Sequence, residues 1–213
     1  MISHVFSRGT VPAMVLAAFC ILTAGPREAR ATVSLFGPGG QEFDVVETTG
    51  GYISDGTSDS YDSAYYLYVN GTQYTAGSAA ATEILGGRGY RMAEFTTGNL
   101  TVQRSFWVPD TGDHDYLRYF DTIRNNASGT ETVTVRYTGN LGSDSSTGVT
   151  ATSSGDLVVS TDDFWYCTDD GTGSDPSLAH VWWGDSGLVE PGTETLSGDS
   201  METIFTVDVP AGE

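Results

Sequence analysis

Leu100-Thr101-Val102-Gln103-Arg104-Ser105-Phe106-Trp107-Val108-Pro109 decides the fold class of this chain. Leu100, Val102, Phe106 and Val108 fall on one side of an extended backbone, and Thr101, Gln103, Ser105 and Trp107 on the other. That period of two belongs to a strand with one buried face. Pro109 has no N–H to give to a ladder, so the strand stops there. A second strand is expected from Tyr116 to Arg124 and a third from Thr130 to Thr138, where Val133, Val135 and Tyr137 share a face. The turn-forming cluster Asn125-Asn126-Ala127-Ser128-Gly129 separates them, and the three strands together read as a meander.

The same signal continues in both directions. Ala64 to Val69, then Asn70-Gly71, then Thr72 to Thr75 is a hairpin pattern, because Asn-Gly accepts the positive φ angles of a type I′ turn. Later runs at Thr147–Ser153, Leu157–Ser160, Phe164–Cys167, Leu178–Trp183 and Ser200–Val209 are strand-like, and no helical period is sustained beyond the N-terminal segment. About a dozen strands exceed what one flat sheet carries. The expectation is an all-β protein, an antiparallel β-sandwich forming a single domain over residues 32–213. Ile204 to Pro210 reads as a strand and Ala211-Gly212-Glu213 as a turn, which leaves open a domain that continues past Glu213.

The N-terminus sets the compartment. Arg8 precedes a mostly apolar run from Val11 to Ala24, followed by Ala29-Arg30-Ala31, the arrangement of a signal peptide with an A-x-A cleavage site. Residues 1–31 are therefore expected to be removed, with a mature start at Thr32 and a secreted, extracellular or cell-surface product; a periplasmic product fits the same signal. The run is short for a bilayer and no second one follows, which argues against a transmembrane anchor. Cys20 follows Phe19 rather than the small residue of a lipid-attachment signal. Cleavage takes away three arginines and one glutamate, so the net charge moves from -19 to -21. With no lysine and only six scattered arginines left, nucleic acid is a poor partner. Cys167 alone remains, so stability rests on an apolar core rather than on an intramolecular disulfide.

The central stretch, with Tyr116-Leu117-Arg118-Tyr119-Phe120-Asp121-Thr122-Ile123-Arg124-Asn125 and Gly139-Asn140-Leu141-Gly142-Ser143-Asp144, resembles a module of large secreted bacterial proteins, a module without an assigned activity. The likeness runs on through Ser153-Ser154-Gly155-Asp156 to Asp163-Phe164-Trp165 and covers about a third of the chain. It implies that other domains of a larger secreted protein, or a surface partner, are what this chain meets. The order of an Arg-bearing strand, a Leu-Arg strand, an Asn turn and a Val-rich strand is also similar to the supersandwich of galactose-mutarotase-like domains, which implies a carbohydrate ligand. A shared architecture does not by itself assign a function.

Acidic loops are one lead toward chemistry. Asp110, Asp113 and Asp115 fall in one Gly-containing loop, and Asp169, Asp170 and Asp175 in another. Calcium takes six to eight oxygens, and such loops are candidate calcium ligands, although neither has EF-hand spacing and Asp, Gly and Ser are also ordinary turn formers. His114, His180 and Cys167 lack zinc-ligand spacing. Gly184-Asp185-Ser186-Gly187 matches a serine-protease signature in its four letters only, with Leu188-Val189 following and no histidine in the matching context. No motif carries a catalytic mechanism. Aromatics are the other lead: Trp165, Trp182, Trp183, Tyr66 and Tyr68 are candidate ligand-binding residues, since flat rings with polar tips suit sugars and protein partners alike, while the competing role is ordinary core. Two functions stay open: a non-catalytic structural, adhesive or partner-binding module, and a domain that binds or processes a polysaccharide.

Overall fold

The computed structural model describes residues 32–77, 81–143, 146–184 and 187–212. The expected signal peptide and the Asp185-Ser186 pair lie outside the described residues. In chain order the strands are β1 (Val33–Phe36), β2 (Glu42–Val45), β3 (Ile53–Gly56), β4 (Tyr66–Val69), β5 (Thr72–Gln73), β6 (Thr82–Ile84), β7 (Gly89–Arg91) and β8 (Phe95–Thr97). They continue with β9 (Leu100–Trp107), β10 (Arg118–Asn125), β11 (Glu131–Asn140), β12 (Gly148–Thr152), β13 (Trp165–Asp169), β14 (Leu178–Val181), β15 (Thr193–Ser197) and β16 (Ser200–Val209).

The protein is all-β and its pairings are antiparallel, as expected. The strands form four sheets, β1-β2-β3, β10-β9-β7-β6 with β8 also on β9, β15-β16-β11-β4-β5, and β12-β13-β14. These stand in a propeller-like ring, where two stacked layers had been expected. The β1, β9 and β16 sheets share one apolar core of Leu35, Val45, Ile53, Leu67, Val69, Val102, Phe106, Val133 and their neighbours. The β9 alternation holds residue by residue, with Leu100, Val102, Arg104 and Phe106 buried and the intervening side chains half-exposed. Burying Val102 and Phe106 completely contributes about 1.5–3 kcal/mol each.

Three local expectations meet different outcomes. Asn70 and Gly71 have φ of 48° and 76°, the two left-handed residues of the expected turn, and Val69 pairs with Thr72 across it. The meander, by contrast, is broken. β10 pairs with β9 over its whole length, but β11 joins β16 and β4 in another sheet. Asn125 explains the crossing: its buried side chain donates to the carbonyls of Gly129 and Val209 and accepts from Ala127 N, which turns the chain out of the β9 sheet. The Leu157–Ser160 run is a loop, gathered around Asp163, whose carboxylate accepts from Ser154 N at 2.9 Å and Ser160 N at 3.1 Å.

Candidate functional site

A cleft of about 1450 Å³ opens where the four sheets come together. β2 and β3 contribute Phe43 and Ile53, β10 contributes Tyr119, Asp121 and Ile123, β11 contributes Val135 and Tyr137, and β16 contributes Phe205, Val207 and Val209. Leu178 to Gly184 supply a further wall, and the Asp113–Leu117 loop the rim. Its walls are mostly aromatic and aliphatic, because they are the inward-facing parities of strands whose sheets diverge.

Beside the cleft lies a buried ion pair. Arg104 sits on the apolar parity of β9 and is fully enclosed; Asp121 is its direct cross-strand partner on β10. Arg104 Nε and Nη2 donate to the two Asp121 oxygens at 2.8 and 2.9 Å, a bidentate match. Nη1 donates to the Tyr65 carbonyl at 2.7 Å, and Tyr137 Oη donates to Asp121 at 3.0 Å. The guanidinium carbon lies 4.3 Å from the Tyr119 ring centroid. Burial alone would discourage the charge on Arg104, but the Asp121 carboxylate outweighs it and holds the guanidinium ionised. Burial first, and then Asp121, keeps the Tyr137 phenol protonated well above its ordinary range.

Tyr65 joins this pair to the β13 sheet. Its φ is +65°, an uncommon value for a bulky residue, fixed by Arg104 on its carbonyl and by rings around its side chain. The ring meets Tyr119 at 5.6 Å and Trp182 at 5.7 Å, and its hydroxyl lies 2.6 Å from His180 Nδ1. His180 Nε2 is within 3.3 Å of Thr168 Oγ1, so both ring nitrogens are engaged. Burial lowers the imidazole pKa to about 3, leaving it neutral at physiological pH.

The candidate ligand-binding residues divide between two locations. Trp182 and Trp183 both border the cleft; the expected strand through Trp183 would send these neighbours to opposite sides, but β14 ends at Val181, before them. Trp182 packs on Tyr137 at 5.6 Å, and Trp183 on Phe164 at 5.4 Å with a buried indole N–H that meets no acceptor among the described residues. Tyr66 and Tyr68 take the opposite parity of β4 from buried Leu67 and Val69: Tyr66 stacks on Tyr52, and Tyr68 lies under Arg136. Trp165 lies on the other parity of β13 from buried Tyr166 and is not among the residues around the cleft.

The acidic loops are spread as well. Asp113 and Asp115 border the cleft, with Asp115 accepting Gly39 N at 2.7 Å, while Asp110 is exposed at the start of that loop. Asp170 accepts from Thr172 and Ser174 hydroxyls and from the amides of Thr172 and Gly173, and these bonds lower its pKa to about 2. Asp169 accepts from Gly171 N and Ser177 Oγ. Asp175 lies in the same loop and is also engaged. Among the described residues no three His, Cys, Asp or Glu side chains gather in a metal-binding group. Asp169 and Asp170 serve as acceptors within their own turn, and Asp115 ties its loop to Gly39.

Arg104, Asp121, Tyr65 and Tyr137 were not singled out by their types. Their signal was parity, since Arg104 falls in step with Val102 and Phe106, and Asp121 with Tyr119 and Ile123. No protein-family model matches this chain, and no curated protein matches it.

Proposed function

We propose that this chain is a non-catalytic β module of a secreted or surface protein, and that its cleft is where a partner is received. One observation carries this reading: strands from all four sheets bring aromatic and aliphatic side chains to a single open cavity large enough for a peptide or an oligosaccharide. Asp121 and His180, the buried ionisable groups tied to its aromatic wall, favour holding over reacting. Asp121 has both oxygens occupied by Arg104 and Tyr137, and neutral His180 has both nitrogens engaged. Neither is arranged as a general acid or base. The β9 and β16 sheets turn apolar faces toward each other across Arg104 and Tyr137, which supports a supersandwich-like relation between these two sheets.

The partner-binding reading is checked by tryptophan emission during titration with candidate domains of the parent protein, comparing Trp182→Phe and Trp183→Phe. The expected result is a saturable emission change that falls in both variants. A full response in the double variant would place binding elsewhere. A polysaccharide is the second reading, favoured by the Trp183 N–H, which has no acceptor among the described residues and lies at the cleft. Quenching by one polysaccharide of a panel supports it, and silence across the panel removes it. Export is tested by N-terminal sequencing of the protein recovered outside the cell, with Thr32 expected as the first residue.

A further inference from the structure

β10 forms one border of the cleft and is open on one side. Over Arg118–Arg124 it pairs with β9 alone among the described residues, and only its last residue, Asn125, is met from the far side, by Gly212 N. β16 is likewise bonded on both sides only from Ser200 to Ile204, because β15 reaches no further; Phe205–Val209 pair with β11 alone. Natural sheets shorten, bend or charge such edges. β10 offers eight residues without Pro or Gly, exposes two-thirds of Phe120, has its one inward charge, Asp121, neutralised by Arg104, and is charged on its outward face only at Arg118 and Arg124.

The side chains say what fits. Tyr119, Asp121 and Ile123 face the cleft, so a strand added to β10 would point alternate residues into an apolar space walled by Phe205 and Val207. Its other residues would lie beside Arg118, Phe120, Thr122 and Arg124, which are exposed. Two of the six mature arginines therefore stand at the ends of one open edge of a protein whose net charge is -21. A second copy is disfavoured: antiparallel self-pairing over Arg118–Arg124 sets Arg118 opposite Arg124 at both ends, and like charges directly opposed repel.

We infer that β10 accepts an extended acidic segment of a partner protein as an added strand, with apolar residues alternating into the cleft and carboxylates opposite Arg118 and Arg124. This rests on the cleft being a partner site and specifies the partner's chemistry.

The test uses the full-length protein and a blocked peptide, Glu-Val-Thr-Val-Thr-Val-Glu, with its Lys-ended counterpart and an N-methylated version that cannot complete the ladder. The expected result is hydrogen exchange about tenfold slower at the β10 amides directed away from β9, with the Glu peptide only. The exposed double variant Arg118→Glu/Arg124→Glu should lose the Glu peptide and gain the Lys peptide. Exchange that stays unchanged at β10 while Trp182 and Trp183 emission responds would overturn strand addition and leave the cleft as a partner site. Peptide capture indifferent to N-methylation or to charge reversal overturns it as well, as does a dimer through β10 in sedimentation. Failure of every candidate partner domain to move tryptophan emission would instead remove the cleft reading itself.

Discussion

Arg104 is costly to disturb, since a guanidinium with no solvent contact has one carboxylate to balance its charge. Asp121→Asn keeps the shape but leaves the charge unpaired, and should lower unfolding free energy by about 3–5 kcal/mol in urea titration. Arg104→Met/Asp121→Leu removes both charges and should recover most of that loss; a double variant as unstable as the single one would contradict this account. Glycine matters where the backbone leaves no room. Gly142 has φ +83°, and a Cβ there would fall 2.1 Å from the Asp59 carbonyl oxygen. Gly142→Ala should therefore cost about 2 kcal/mol or more, read as a fall in the thermal midpoint. The run Gly139-Asn140-Leu141-Gly142 that carried the family resemblance is accounted for by packing: Leu141 is fully buried, Asn140 Oδ1 accepts Gly142 N, and Gly139 lies against Ala64 and Tyr65.

Among the elements, β15 holds an unexpected group. Glu194 is 5% exposed opposite Thr203, and neither carboxylate oxygen has a hydrogen-bond partner among the described residues. Burial, aided by Asp163, raises its pKa to about 8. A folded-state pKa above the unfolded value near 4.5 means that the folded protein holds the extra proton, so stability falls as pH rises from about 4.5 to 8. His180 acts in the opposite sense: its lowered pKa means stability falls as pH drops from about 6.5 toward 3. Glu194→Gln should abolish that loss, about 4 kcal/mol by pH 8, and leave the acidic limb untouched in denaturation curves across pH. β9, β11, β16 and the β4–β5 turn were legible from alternation and turn chemistry, whereas β1 and β2, four residues each with one buried face, were not. Nor was pairing. Whether β11 lies beside β10 or in another sheet is decided by Asn125, whose side chain bonds Val209, far along the chain. Leu157 and Val158 are exposed in a loop despite their β-forming types, because Asp163 organises that segment.

On the scale of the whole molecule, the cleft was the least legible feature, for its walls come from six strands of four sheets and no linear pattern joins them. Trp182 and Trp183 could be named as binding candidates by residue type, and they do border it; Tyr66, Tyr68 and Trp165 were named on the same ground and lie elsewhere. The difference is one of place: Trp182 and Trp183 follow the end of β14 at the cleft, while Tyr66 and Tyr68 take the parity of β4 opposite its core residues Leu67 and Val69.

The longest ladder sets Glu131 against Val209 and Asn140 against Ser200, so one edge of β11 is completed by residues made about 60–80 positions later. A chain that emerges N-terminus first can pair β11 with β4 early, but must wait for Ser200–Val209 before that sheet closes. Loop closure over such a span comes late and slowly. That sheet should consequently stay open at one edge until Ser200–Val209 has been made, so a chain cut just before Ser200 should be unable to complete it.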